Sequence, residues 1–195
     1  MAIESATYVA LLRGINVGGK NKLSMAQLKT CLEEQGLSNV STYIASGNVA
    51  FQSRKRADAI EGLIEEALPK AFELDSELIK VLVLSHRQLQ AIVDNKPKGF
   101  GEQPKKYHCD AIFLMGIDSA QAMSVFNPRA GVDKIWAGNG VIYSQRLSAQ
   151  RTRSRLSRIM GTPIYASMTI RSWNTTMKLL ELMKGKDKPM LGRSS

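Results

Sequence analysis

The sequence is poor in cysteine, histidine and aromatic side chains: of 195 residues, two are Cys and two are His. Two thiols, Cys31 and Cys109, cannot build a disulfide framework, and a reduced cytoplasmic chain is the expectation. Of the two histidines, His86 and His108, only His108 has a neighbouring ligand type, Cys109. No third and fourth ligand follow at zinc spacing, so neither a metal nor a cofactor is expected. No paired-carboxylate pattern stands out, and Ser46 has no identifiable histidine base, so no catalytic residue is assigned. Aromatic residues make up 6% of the chain and no RNP pattern occurs, which argues against a standard RNA-recognition module. No stretch approaches the roughly 18 apolar residues of a membrane span. The first eight residues carry Glu4 and lack a basic segment followed by an apolar one, so no secretory leader is expected.

Acidic residues are scarce in one half only. Residues 1–84 hold 9 Lys and Arg against 10 Asp and Glu, net −1, whereas residues 85–195 hold 18 against 7, net +11. The last fifty residues, 146–195, carry 11 basic and 2 acidic groups. A basic excess concentrated in this way points to an anionic partner more strongly than a diffuse one does.

Apolar patterning predicts strands at 8–12, 40–45, 49–51 and 78–84, with helices after Ser24 and over 57–72, in the order β-α-β-β-α-β. Ser24 and Gln27 have capping-box spacing, and Gly36 ends that helix. Ser85 caps a further helix. The second half predicts a strand at 111–115 and a helix after Asp118. Strands at 132–137 and 141–144 flank Gly138-Asn139-Gly140, and a helix is expected over 150–160. The fold class is therefore α+β, two tandem ferredoxin-like plaits, with a last helix over about 172–184. The expected organisation is an N-terminal plait with its following helix (1–94), a Lys/Pro/Gly linker (95–107), a C-terminal plait-like unit with the final helix (108–184) and a flexible tail (185–195).

Arg13-Gly14-Ile15-Asn16-Val17-Gly18-Gly19-Lys20-Asn21-Lys22 follows the first strand and has the G-x-x-x-x-G-K spacing of a phosphate-binding loop. Asn21 stands where such a loop holds magnesium with Ser or Thr, and the cap at Ser24 starts the helix several residues late. The loop still offers glycine amides and three cations to an anion. The run Leu11 to Asn21 resembles the hallmark of the bacterial family catalogued as domain of unknown function 1697. So do Thr42 to Val49, containing Ser46-Gly47-Asn48, and Met168 to Thr175. The likeness extends from about Thr7 to Met183. It departs at Ser172, where the family pattern has Asn, and at Ala45, where Gln is common. The resemblance implies a plait-like α+β fold and no established reaction.

Arg151, Arg155 and Arg158 have i, i+4, i+7 spacing, which on a helix is one face suited to phosphates. Arg171 precedes the last helix, and Asn174 and Thr175 add donors in its first turn. Trp173 could stack on a base, but its spacing to Met177 and Leu180 is also that of a core residue. The sequence thus points to a protein that binds a phosphate-bearing ligand, nucleic acid first. The candidate contacts are Arg13, Gly14, Asn16, Gly18, Gly19, Lys20, Asn21, Ser46, Gly47, Asn48, Arg171, Trp173, Asn174 and Thr175, with Arg151, Arg155 and Arg158 as the wider nucleic-acid surface. An enzyme acting on a nucleotide or other phosphate ester, and a pure protein-interaction module, are the alternatives.

Overall fold

The computed structural model describes residues 5–75 and 79–186. The chain divides into two compact units, one comprising 1–89 with 178–195 and the other 90–177.

The N-terminal unit runs β1 (Ala6–Arg13), α1 (Met25–Glu34), β2 (Ser38–Tyr43), β3 (Asn48–Ser53), α2 (Ala57–Ala71) and β4 (Lys80–Ser85). Its antiparallel sheet has the order β2-β3-β1-β4. Alternation places Ala10 and Leu12, Val49 and Phe51, and Val81 and Val83 on the face that forms one core cluster with Leu28 and Leu32 of α1 and Ile60, Ile64 and Leu68 of α2. Each fully buried Leu or Ile contributes about 1.5–3 kcal/mol. Ser24 caps α1 by accepting the Gln27 N–H, and Gly36 closes it at φ +84° with its N–H on Glu33 O. The expected start of the fourth strand, Leu78, lies outside the described residues.

A third helix, α3 (His86–Asp94), follows at once, with Ser85 and Gln88 exchanging bonds at its start. The division between the units falls inside it, between Leu89 and Gln90, earlier than the expected linker at 95–107.

The C-terminal unit contains β5 (Tyr107–Leu114), α4 (Ser119–Met123), β6 (Asp133–Gly138), β7 (Val141–Leu147) and β8 (Met168–Ser172), in a sheet of order β6-β7-β5-β8. The strand β8, which the sequence reading did not separate from the basic segment, completes this second four-stranded sheet. Ile112, Leu114, Ile142 and Met168 form its core with Ala122 and Ile159. The helix expected over 150–160 is absent. Two 3-10 turns, 148–153 and 156–161, stand there, separated by extended Ser154, and a third covers 163–167. The cause is non-local. The Asp133 carboxylate accepts the N–H groups of Arg129 and Arg155, both at 2.9 Å, and Ser154 accepts the Leu156 N–H. These bonds hold the backbone out of the i to i−4 ladder.

The last helix, α5 (Trp173–Lys186), starts in the C-terminal unit and from Lys178 belongs to the N-terminal one. Gly185 and Lys186, expected in the tail, are helical; residues 187–195 lie outside the described residues. Lys186 O accepts from Gln52 Nε2 of β3 at 2.9 Å.

Candidate functional site

The Gly-rich loop is a small hairpin. Gly18 and Gly19 have φ +59° and +80°, Lys20 N–H donates to Val17 O at 3.0 Å, and Asn16 N–H donates to Asn21 O at 3.0 Å. Two consecutive left-handed residues make the primed turn that a two-residue hairpin needs, which is why both are glycine. The phosphate-loop arrangement is not formed, because α1 opens only at Met25 behind its own cap. Asn16 and Asn21, themselves left-handed at φ +52° and +46°, lock the loop. Asn16 Nδ2 donates to Leu23 O and to Ala45 O (3.1 and 2.9 Å), and its Oδ1 accepts Leu23 N–H. Asn21 Nδ2 donates to Gly14 O at 2.8 Å, and its N–H donates to Asp75 Oδ2 at 2.6 Å.

The second motif meets the first. Leu12 N–H donates to Gly47 O at 2.8 Å, and the Asn16 bond to Ala45 O ties the two loops again. Gly47, at φ +73°, packs so closely that a Cβ there would stand 2.8 Å from Leu12 Cβ and from Ile15 Cδ1. Asn48 is fully buried, with Nδ2 on Tyr43 O (3.1 Å) and Ser46 Oγ (2.8 Å). So the amides of Asn16, Asn21 and Asn48 hold backbone in place. The groups presented outward are Lys20 and Lys22, with Arg13 half-buried at the end of β1, and two apolar side chains, Val17 (66% exposed) and Ile44 (52% exposed). Ile44 is anomalous twice over, since it is a β-branched residue in the left-handed region (φ +50°) and an exposed apolar one.

The third motif belongs to the C-terminal unit. Arg171 is not a displayed cation at a helix start. It lies on β8 in the cross-strand row Trp136, Tyr143, Ala111, Arg171, is 8% exposed, and donates from Nη1 to Thr169 Oγ1 (2.9 Å) and Ile170 O (2.8 Å). Burial brings its pKa down to about 10. Trp173 is a core residue. Its ring meets Phe100 edge-on at 5.0 Å, Phe100 also meets Tyr143 and Trp136, and a Cβ on Gly101 would reach the indole. The Tyr143 hydroxyl donates to Ile92 O at 2.6 Å, and burial pushes its pKa up to about 12. Thr175 N–H and hydroxyl pair with Ser172 Oγ, and Asn174 alone of this motif is exposed. Ser172, Trp173 and Asn174 line a small cleft with Gly101, Pro104, Tyr107, His108 and Cys109.

The basic stripe fails as a helical face because no α-helix carries it. Arg151 and Arg158 are exposed on separate 3-10 turns and Arg155 is half-buried. Burial alone would raise the Asp133 carboxyl that anchors this segment. The N–H groups of Arg155 and Arg129, the Ser154 hydroxyl and the Arg146 charge instead bring it below the usual carboxylate range.

Sequence reasoning missed one cluster. His108 Nε2 lies 3.0 Å from Asp110 Oδ1, and Arg146 Nη1 lies 3.5 Å from Asp110 Oδ2. Burial holds the Asp110 carboxyl above the usual carboxylate range, and the His108 and Arg146 charges offset only part of that rise. His-x-Asp on a strand puts both side chains on one face, which was readable; the register that sets Arg146 opposite His108 was not. Among the described residues no group of three or more His, Cys, Asp or Glu could hold a metal ion, and no helix is long and apolar enough to cross a membrane.

A family model described as "Protein of unknown function (DUF1697)" matches residues 6–143. The fold is similar to that of the conserved bacterial protein SP0830 from Streptococcus pneumoniae, with a TM-score of 0.73 and 25% identity over 92% of this chain and 99% of that one. No curated protein matches the chain.

Proposed function

The chain belongs to the DUF1697 family of proteins of unknown function, and from that premise we propose that it is a cytoplasmic α/β-plait protein that binds nucleic acid on the platform made by the loops 13–22 and 43–48. The observation that carries this reading is the pairing of the two loops through Asn16 and Gly47, with Lys20, Lys22, Val17 and Ile44 all exposed on the loops so joined. Lysines neutralise phosphates, and apolar side chains offer a surface to the faces of unstacked bases. Because both loops are already held by internal bonds, little ordering entropy is lost on binding. Exposed Arg151, Arg153 and Arg158 widen the basic character of the chain.

Fluorescence anisotropy with a labelled single-stranded oligonucleotide tests the proposal. Binding should weaken with salt, with a log–log slope of about 0.7 per neutralised phosphate, and Lys20→Ala should lower the slope by about that amount. No binding of RNA or DNA at 50 mM salt refutes it. The rival, an enzyme acting on a nucleotide or other phosphate ester, predicts instead that a mononucleotide with magnesium raises the melting temperature and that Lys20→Ala abolishes the rise. The hairpin geometry of Gly18 and Gly19 disfavours the rival, because the loop does not run into a helix N-terminus as phosphate loops do.

A further inference from the structure

Among the described residues the strand β4 ends the N-terminal sheet, pairing on one side with β1 and carrying no strand on the other. An edge of this kind presents a row of backbone donors and acceptors at alternate residues, ready for a further strand. Here the donors are taken by side chains. Val81 N–H donates to Glu65 Oε1 at 2.9 Å, Val83 N–H to Glu61 Oε1 at 2.8 Å, and Ser85 N–H to Gln88 Oε1 at 2.9 Å. The last of these belongs to the cap of α3. The first two have no local reason, since Glu61 and Glu65 are 22 and 16 residues from their partners.

The match is geometric. Residues four apart on a helix are about 6.0 Å apart along its axis, and donors two apart on a strand are about 6.6 Å apart. A helix running beside an edge strand therefore sets carboxylates at i and i+4 against N–H groups at j and j+2. The arrangement holds two like charges one turn apart and partly buries one of them. Burial raises the Glu61 carboxyl, the Val83 N–H bond lowers it in part, and the neighbouring Glu65 and Asp58 raise it again, so the net direction is upward. Such a placement costs stability unless the two bonds are needed.

What they protect is a self-complementary edge. Lys80-Val81-Leu82-Val83-Leu84-Ser85 has no charge after Lys80 and is built of strand-forming apolar residues. Its outward donors lie on residues 81, 83 and 85, so a second copy laid antiparallel would set Val83 against Val83 and Val81 against Ser85, each pair exchanging both of its bonds. We propose that β4 is a sealed strand-pairing surface whose partner is β4 of a second copy of this chain, and that Glu61 and Glu65 keep it closed by occupying its donors.

Amide hydrogen exchange on the unmodified protein tests the seal without any variant. Val81 and Val83 should exchange about as slowly as Leu82 and Leu84, which bond to β1; exchange faster by tenfold or more overturns the proposal. The partner is tested with Glu61→Ala/Glu65→Ala. In dilute solution its Val81 and Val83 amides should exchange about tenfold faster than in the parent, the equivalent of one lost hydrogen bond. As concentration rises the mass by light scattering should double while those two amides regain protection. A folded double variant of single mass at every concentration overturns the proposal, as does self-association that leaves Val81 and Val83 exchanging fast. Should the double variant fail to fold, Glu61→Gln/Glu65→Gln keeps an accepting oxygen at each place and should retain the parent's mass and protection; doubling there overturns the seal as well.

Discussion

The two units share a strand order and differ in what covers the sheet. In the N-terminal unit the crossovers are α-helices of 10 and 15 residues, whose Leu and Ile side chains form one cluster with the strands. In the C-terminal unit the first crossover helix has 5 residues and the second crossover is a chain of 3-10 turns. The same antiparallel order survives both treatments because strand pairing and the alternation of side chains define it, while the covering layer only has to bury one apolar face. In the second unit Asp133 fixes the 3-10 segment over the face that carries Ile112 and Ile142, while the edge-on aromatic group around Phe100 packs on the other face, in the row of Tyr143 and Trp136.

The comparison can be broken most directly at that aromatic group. Phe100→Ala removes the ring against which Trp136, Tyr143 and Trp173 stand and should cost about 3–5 kcal/mol. Both tryptophans lie in the C-terminal unit, so urea unfolding followed by Trp fluorescence reads that unit specifically. A loss below about 1 kcal/mol would show that the ring is not what holds that face of the second sheet.

Next in size is Gly47→Ala in the N-terminal unit. Its φ of +73° and the 2.8 Å approach to Leu12 and Ile15 should cost about 2–3 kcal/mol by chemical denaturation followed by far-ultraviolet circular dichroism. Asp133→Asn should cost about 1.5–3 kcal/mol at neutral pH. The Asp133 carboxyl is held below its unfolded value, so its contribution is complete above the usual carboxylate range and disappears as pH falls through the lower native pKa. Parent and variant should therefore converge in stability towards about pH 2, and a gap that persists there would show that shape rather than charge holds the 3-10 segment. The smallest effect is expected at Ile44, where Asn tolerates the left-handed backbone. Ile44→Asn should leave the melting temperature unchanged or raise stability by up to about 1 kcal/mol, while weakening oligonucleotide binding. Unchanged binding would remove Ile44 from the platform.

The order of elements in the first unit was readable because its strands alternate and its helices carry caps at Ser24 and Ser85. The second unit was read less well. Met168 to Ser172 is a five-residue strand with an arginine inside it, and nothing local separates it from a basic segment. Arg151, Arg155 and Arg158 have helical spacing, yet a carboxylate 22 residues before Arg155 dictates the turn there. The candidate site divides in the same manner. The glycines at 18, 19 and 47 were visible as positions of special backbone, and their motifs do meet. The amides of Asn16, Asn21 and Asn48, read as ligand donors, bond to the protein itself, Asn16 across to Ala45 of the second loop and Asn21 and Asn48 within their own loops. The glutamates at 61 and 65 carry no local signal of their role, which depends on the N–H groups of Val83 and Val81 that β4 brings to them.

By itself the sequence determined the α+β class, the β-α-β-β-α-β order of the first unit, the presence of a Gly-rich loop after the first strand and the concentration of positive charge after residue 85. Each of these depends on residues close together in the chain, through side-chain period, backbone conformation or simple count. Only the tertiary structure decided which polar groups face solvent and which hold the fold. A hydrogen bond satisfies a buried group whatever the sequence distance to its partner, so the role of an Asn, Arg or Glu is set by neighbours that folding brings to it.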